Sequence, residues 1–258
     1  MTSENISTKT YFIVFLTLLS LLFATYIFSK SKTSAEFLQL LGEKSFLSLH
    51  LNKISVRLLE ASKAANHEDY KTYFLLGRVY FVEGRMEDSI RNYSVAIKLN
   101  PNHKESYYGR GLTYGFTSSI FYPEAKRDFE KYIEIDRQEF EKTGSHAYGA
   151  WAGYNDLAWV YYLMGEWKQA EEVARAGLEI TQSNPWLSNM LGAILLEQNR
   201  CEEAIEELEK ADLLLGAITS DQFGEAYSGD NPKNWGPGKE SMAKAIKENL
   251  ELCKSFPQ

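Results

Sequence analysis

A pattern of bulky and small residues that recurs at intervals of 34 residues, with one longer step, constrains this fold more than any other sequence feature. The repeated positions are the following: Tyr73, Gly77 and Tyr80; Tyr107, Gly111 and Tyr114; Tyr154, Ala158 and Tyr161; Ser188, Gly192 and Leu195. A fixed period of this length is typical of repeated supersecondary units, each of which buries its apolar face only by stacking on its neighbours.

Each unit is predicted to form two antiparallel helices of about 13 to 15 residues. The helices are expected to join at Gly84, Gly165 and Asn199, because these residues tolerate the left-handed conformation that ends many helices. Glycine destabilises an isolated helix. Gly77 and Gly111 are therefore expected where a neighbouring helix packs against bare backbone.

These positions resemble the signature of the tetratricopeptide repeat (TPR) family from Tyr70 to Ile218. The resemblance implies an all-α fold, a right-handed TPR-like solenoid of helical hairpins. Units 1 and 2 are assigned to residues 70–137 and units 3 and 4 to residues 151–218. Residues 138–150 are assigned as an insertion, a loop or a helix extension, because the step between the second and third units is longer than one period. Arg110 departs from the family pattern, which expects leucine there.

Both ends of the repeats carry segments that could cap them. Residues 34–66 are predicted to form an apolar or amphipathic helical connector and N-terminal cap, which we expect to pack on the first repeat, with the membrane surface as the alternative. Residues 239–255 are predicted to form a C-terminal capping helix with an apolar stripe. Residues 219–238 are rich in glycine, proline and aromatics, and they are predicted to form a loop pinned to the scaffold.

Residues 10–29 form a 20-residue stretch without a charged side chain, after a short tail at residues 1–9. A helix of this length is about 30 Å long, which matches the hydrocarbon thickness of a bilayer. We therefore predict one N-terminal transmembrane helix, with a cleaved signal peptide or a buried core helix as alternatives. The predicted localisation is a single-pass protein of a plasma or inner membrane. Flanking lysines are balanced, and we favour an extracytoplasmic repeat domain.

Composition and motifs argue against several functional classes. The net charge of -7 and pI of about 5.3 argue against a nucleic-acid partner, since such proteins carry a basic surface. The four histidines lack metal-ligand spacing, and Cys201 and Cys253 do not form a C-x-x-C motif, so they are either free thiols or one disulfide. We predict no catalytic site, no metal, no cofactor and no small-molecule substrate.

The TPR resemblance implies that the first helix of each pair lines a concave groove for a protein or peptide. The predicted partner-binding residues are Phe74, Arg78, Phe81, Tyr108, Leu112, Phe116, Asn155, Trp159, Tyr162 and Asn189. Aromatic and arginine side chains are favoured anchors, and an amide can pair with a peptide backbone. The alternative is that these aromatic residues only fill the interior of the solenoid. Only Arg78 is cationic, so the basic clamp of chaperone-tail-binding TPR proteins is not expected.

The sequence therefore predicts a non-enzymatic, membrane-anchored TPR scaffold or adaptor that binds a protein or peptide partner in its groove. A structural subunit of a multiprotein envelope or secretion assembly is the alternative. An enzyme acting through the 219–238 loop is a third hypothesis, supported only by the length of that loop.

Overall fold

The computed structural model describes residues 31–48, 51–146, 149–225 and 235–255, and all regular secondary structure in these ranges is helical. The helices are α1 (Lys32–Leu47), α2 (Asn52–Ala65), α3 (Tyr70–Val82), α4 (Met86–Leu99), α5 (Lys104–Thr117), α6 (Tyr122–Thr143), α7 (Trp151–Leu163), α8 (Trp167–Ile180), α9 (Pro185–Glu197), α10 (Cys201–Ala217), α11 (Ser220–Glu225) and α12 (Trp235–Ser255). The chain divides into two compact units, residues 1–76 and residues 77–258.

Helices α1 and α2 pack closely in the first unit because small residues line their contact. The Ser62 hydroxyl donates a hydrogen bond to the Ala35 carbonyl at 2.8 Å. Gly42 lies so close to α2 that a Cβ atom there would be 2.7 Å from the Leu59 side chain. Leu59 itself is completely buried. Small residues on α1 thus bring its backbone against α2.

Three helical pairs of the second unit are closed by the same turn. Gly84, Gly165 and Asn199 have φ of 73°, 73° and 59°, which confirms the predicted left-handed junctions. After each junction the next backbone N–H bonds to a carbonyl five residues earlier, as from Arg85 to Tyr80 at 2.8 Å. This arrangement satisfies carbonyl groups that the end of a helix leaves unpaired.

Two of the small residues of the repeat, Gly77 and Gly111, lie under aromatic rings of the partner helix. A Cβ atom at Gly77 would lie 2.8 Å from the Tyr93 ring, and one at Gly111 would lie 3.0 Å from the Phe129 ring. Both rings are buried. The predicted close approach of a neighbouring helix to bare backbone is confirmed at these two positions.

Arg110 occupies the position where the repeat pattern expects leucine, and it has its own set of partners. Its Nε and Nη2 atoms donate to the two carboxylate oxygens of Asp128, both at 2.7 Å, and its Nη1 atom donates to the Ser94 hydroxyl at 2.9 Å. The guanidinium lies near the rings of Tyr107 and Tyr114. A bidentate ion pair here replaces the apolar contact of a leucine.

The long step between the second and third units arises from helix α6, which has 22 residues and continues to Thr143. Gly144, with φ of 71°, then ends it. The segment assigned as an insertion therefore begins as a helix extension. Helix α5 also continues through Thr117, which leaves only a short 3₁₀ turn, Ser119–Phe121, before α6.

The C-terminal segment contains more helix than the sequence predicted. Residues 219–238 were predicted as a loop, but α11 lies within this range and α12 already begins at Trp235. Phe223 gives a physical reason, since its ring packs 5.3 Å from that of Trp186 and anchors α11. Helix α12 buries Ile246 completely and Cys253 almost completely. Its apolar stripe joins the core cluster of α9 and α10.

The exposure of the apolar residues in and just after α1 differs from the sequence prediction, which favoured their packing on the first repeat. Phe46 is buried, but Phe37, Leu41, Leu47 and Leu51 are exposed by 36% or more. Among the described residues, no helix has the length and apolar character needed to cross a membrane. The predicted span at residues 10–29 lies outside the described residues.

Candidate functional site

A row of aromatic side chains connects three successive first helices of the second unit. The ring centroids of Phe81 on α3 and Phe116 on α5 are 5.9 Å apart, edge to face. Phe116 stacks in turn on Trp159 of α7 at 5.6 Å. Phe116 is 61% exposed, which is unusual for a large aromatic residue that touches two others. We call Phe81, Phe116 and Trp159 the aromatic row.

Gly115 allows the tryptophan to approach helix α5. A Cβ atom at this position would lie 3.0 Å from the Trp159 ring, tighter than ordinary side-chain contacts. Tyr122 contacts the same indole edge to face, with ring centroids 6.4 Å apart. The indole is therefore held in place before any partner arrives, which lowers the entropy lost on binding.

A buried carboxyl group lies one turn before Trp159 on α7. Asp156 Oδ2 accepts a hydrogen bond from the Tyr108 hydroxyl at 2.7 Å, and Oδ1 accepts one from the Asn155 amide at 3.1 Å. Burial raises the pKa of Asp156 to about 6, and the two hydrogen bonds only partly oppose this effect. Both donors are neutral, so the carboxylate is solvated by dipoles rather than by a cation.

Two asparagines 34 residues apart occupy equivalent positions on α7 and α9. The side-chain oxygens of Asn155 and Asn189 are both shielded from solvent, and neither accepts a hydrogen bond from the described part of the chain. A buried acceptor left unpaired costs about 1–3 kcal/mol. Because both oxygens are shielded, a partner can supply N–H donors to them and recover that free energy only after the two side chains rotate.

The structure brings together some of the predicted groove residues and separates others. The aromatic row forms one group, and its Trp159 packs in the same core cluster as Tyr108 and Leu112. Tyr108 and Asn155 also meet at Asp156. Tyr162 instead donates to Glu197 of α9 at 2.9 Å, and burial raises the pKa of its hydroxyl to about 12.

The remaining groove residues lie on the predicted helices. Arg78 is half-buried on α3, and Phe74 lies in the part of α3 that belongs to the first unit. The ten predicted residues thus all lie on first helices, α3, α5, α7 and α9, and whether they bind a partner stays a prediction.

Sequence reasoning missed Asp156, although the signal was present. It is the only charged residue of the 13-residue helix α7. A lone carboxyl in an otherwise uncharged and mostly buried helix indicates either a strong local partner or a perturbed pKa.

A second missed cluster surrounds Lys104, which is 3% exposed. Its ammonium group donates to Asp136 at 2.6 Å and to Glu139, and His146 contacts the other Asp136 oxygen at 2.7 Å. Burial alone would raise the pKa of Asp136, but Lys104 and His146 hold it below its ordinary value. His146 also stacks on Phe140 at 4.2 Å. This network binds the extension of α6 to α5.

Within the described ranges, no three histidine, cysteine or acidic side chains lie close enough together to hold a metal ion. Cys201 and Cys253 are both free thiols in one core cluster, and burial raises the pKa of the Cys253 thiol to about 12.

Comparison with curated proteins finds relatives of similar sequence. The chain is 28% identical over 166 residues to the Hsp70-Hsp90 organizing protein 2 of Arabidopsis thaliana, covering 61% of this chain and 26% of that protein. The Hsp70-Hsp90 organizing protein of Triticum aestivum is also 28% identical over 166 residues, with 61% and 25% covered. The chain therefore spans about a quarter of the length of these relatives.

Solved structures share the fold at low identity. The crystal structure of MamA has a TM-score of 0.58 at 19% identity and covers 67% of this chain and 93% of its own. Pseudomonas aeruginosa pilF reaches 0.61 at 12% identity, with 85% and 91% covered. YrrB, titled a TPR protein with an unusual peptide-binding site, reaches 0.51 at 19% identity, with 76% and 95% covered.

The family comparison agrees with the geometry of the helical pairs. Residues 77–115, which include the first repeated junction, match the model described as TPR repeat. The matched segment, the recurring turns and the shared fold together show an all-α, TPR-like solenoid of helical pairs.

Proposed function

We propose that the chain is a non-enzymatic, membrane-anchored TPR scaffold that holds an extended peptide segment of a partner protein. The observation that carries this proposal is the aromatic row of Phe81, Phe116 and Trp159, which crosses three successive first helices. Aromatic side chains that are both pre-positioned and exposed are the anchors that dominate protein binding sites.

The chemistry of the aromatic row favours a peptide with an apolar anchor residue. Such a side chain would cover the exposed ring of Phe116 and contact Trp159. On binding, the side chains of Asn155 and Asn189, whose spacing follows the repeat, would rotate so that their shielded oxygens accept from backbone N–H groups of the peptide. The two amides occupy the same position in successive helical pairs. An extended peptide backbone that runs along the stacking direction can therefore hydrogen-bond to both of them.

The relatives support a protein-interaction role, since they are named as organisers of Hsp70 and Hsp90. This chain does not reproduce a basic binding face in the described residues. The predicted groove contains Arg78 as its cation, whereas Glu197 contributes an exposed carboxylate beside Tyr162 and Asp156 a buried one beside Tyr108. We therefore propose an apolar segment, rather than an acidic C-terminal tail, as the bound element.

The proposal is tested with a displayed library of random peptides and the full chain immobilised in detergent. We expect enriched peptides with a recurrent aromatic or aliphatic residue. Phe116→Ala with Trp159→Ala should weaken their binding by about 30-fold or more, the effect of losing a major anchor. Leu213→Ala is the matched control, because Leu213 is an exposed apolar residue of α10, 76% exposed.

Two results would contradict this function. One is equal binding by the double variant and the wild-type chain. The other is enrichment of peptides that end in acidic residues and lose affinity only when Arg78 is replaced. A chain that binds no peptide but remains in a large assembly after the double substitution would favour the structural-subunit alternative.

The membrane anchor rests on the uncharged stretch at residues 10–29. We propose that it spans a plasma or inner membrane and that the repeats lie on the extracytoplasmic side. Extraction of membranes with alkaline carbonate should leave the full chain in the pellet, and deletion of residues 1–30 should release it. A single cysteine at Leu213→Cys, in a chain without its native cysteines, should react with an impermeant thiol reagent in intact cells. Protection until lysis would place the repeats inside.

A further inference from the structure

Helix α1 presents its large apolar side chains to solvent and its small residues to α2. The residues buried against α2 are mostly small: Ser34, Ala35, Gly42, Ser45 and Phe46. Those on the opposite side are large and exposed by between 36% and 56%: Phe37, Leu40, Leu41 and Leu47. A surface helix of a globular protein normally shows the reverse arrangement.

The exposed residues form one continuous stripe. Positions 37, 40, 41 and 47 fall within about a third of the helix circumference at 3.6 residues per turn. Leu51 and Ile54, exposed by 42% and 47%, continue the apolar surface onto the start of α2. Isolated exposed leucines need no explanation, but a contiguous apolar stripe is typical of an interaction surface. We call these six residues the α1 stripe.

Basic residues surround the α1 stripe, although the whole chain is acidic. Between positions 30 and 58 there are five lysine or arginine residues and two glutamates, so the segment carries +3 in a chain of net charge -7. The described basic side chains of this segment, Lys32, Lys44, Lys53 and Arg57, are all exposed. Apolar residues flanked by basic residues fit the boundary between acyl chains and anionic headgroups.

The position of the stripe in the chain also points to a lipid surface. The uncharged stretch at residues 10–29 ends only two residues before α1 begins at Lys32. If that stretch crosses a bilayer, α1 begins at the headgroup layer, where the exposed Lys32 can meet the phosphates.

We propose that the α1 stripe docks on the surface of a bilayer that contains anionic phospholipid. The first unit then lies against the membrane through the exposed side of α1 and the start of α2. This inference rests on the proposed membrane anchor, but it assigns a second, independent contact with lipid. Docking would hold the repeats near the membrane instead of leaving them on a free tether.

The test places a fluorescent thiol probe on the stripe of the full chain. Leu40→Cys is labelled in a background of Cys201→Ser and Cys253→Ala and reconstituted into vesicles of phosphatidylcholine with phosphatidylglycerol and brominated acyl chains. Leu213→Cys is the matched control, an exposed leucine on the acidic helix α10. Docking predicts that bromolipid quenches the probe at position 40 at least about threefold more than the probe at 213.

The lysines near the stripe give a second measurement. Lys44→Gln with Lys53→Gln should reduce the preference of position-40 quenching for phosphatidylglycerol vesicles, by roughly fivefold for each charge removed. A preference that is unchanged by these substitutions would overturn the assignment of an anionic surface.

Other occupants of the stripe give distinct results, and each would overturn the proposal. A second copy of the chain would make the emission at position 40 depend on the protein-to-lipid ratio rather than on bromolipid. If residues 1–30 of the same chain covered the stripe instead, the probe at position 40 would be shielded equally in detergent and in vesicles.

Flotation after alkaline carbonate treatment separates this inference from the anchor. A chain that floats after carbonate, but whose position-40 probe is in water in untreated vesicles, refutes docking alone. A chain that fails to float refutes the anchor and, with it, the docked arrangement.

Discussion

Replacing Asp156 with asparagine is expected to stabilise this protein at neutral pH. The carboxyl group is 7% exposed, and burial raises its pKa from the ordinary 3.8 to about 6. At pH 7 the wild-type protein must therefore keep a charge in a site that disfavours it. Asparagine has nearly the same shape and can still accept from the Tyr108 hydroxyl. Once the Asn155 amide, which now donates to Asp156, turns over, the new N–H₂ group can donate to the unpaired oxygen of Asn155.

The sign and size follow from proton linkage. The folded pKa of Asp156 lies above the unfolded value, so the native state binds more protons between about pH 4 and pH 6. The free energy of unfolding should therefore rise as pH falls through this window. The difference between the two pKa values corresponds to about 3 kcal/mol at pH 7. Asp156→Asn should recover a large part of this free energy and flatten the pH dependence.

Urea unfolding of the full chain in neutral detergent, followed by far-UV circular dichroism near pH 7 and near pH 5, measures both effects. Asp136→Asn is the matched control, because Lys104 and His146 hold the pKa of Asp136 below its ordinary value despite burial. The control should lose stability at neutral pH. The reasoning is refuted if Asp156→Asn lowers the free energy of unfolding near pH 7, or leaves its pH dependence unchanged.

Three further outcomes are expected. Arg110→Leu restores the usual residue of the repeat but leaves the Asp128 carboxylate buried without its cation; urea unfolding should show a loss of about 3–5 kcal/mol, most of it recovered when Asp128→Leu is added. Gly153→Ala should lower stability by about 1–3 kcal/mol in the same assay, because a Cβ atom there would lie 2.3 Å from the Tyr132 ring, whereas an unchanged midpoint would show that the ring can move. Burial raises the pKa of Cys253 to about 12, so its alkylation by iodoacetamide near pH 8, followed by mass spectrometry, should be slow until urea is added; rapid labelling in the native protein would contradict its burial.

The class of fold could be predicted from the sequence because the repeat is a local pattern. The left-handed turns at Gly84, Gly165 and Asn199 depend on residues within one turn of each helix end. The glycines under Tyr93 and Phe129 were also predictable as close contacts, since an interior helical glycine needs a packing reason. The right-handed twist of the solenoid stays a prediction.

The details of the candidate site were harder to predict from the sequence than the class of fold. Resemblance to the TPR family assigned Phe81, Phe116 and Trp159 to one face. The sequence does not reveal that the lack of a side chain at Gly115 lets the Trp159 indole pack against α5. Asp156 was overlooked because a single aspartate carries no motif. Its raised pKa arises from burial among stacked helices, and the hydrogen bond from Tyr108, 48 residues earlier in the chain, only partly opposes that effect.

The sequence by itself determined the helical pairs, their junctions and the apolar character of residues 10–29, because helix periodicity, turn conformation and hydropathy depend on neighbouring residues. Only the tertiary structure decided which side chains are buried from solvent. Stacking buried Lys104 with Asp136 and isolated Asp156 from cations in its immediate surroundings, while the leucines of α1 remained exposed. The physical reason is that burial and electrostatic environment depend on the faces that distant helices present to one another, and the repeat period does not encode those contacts.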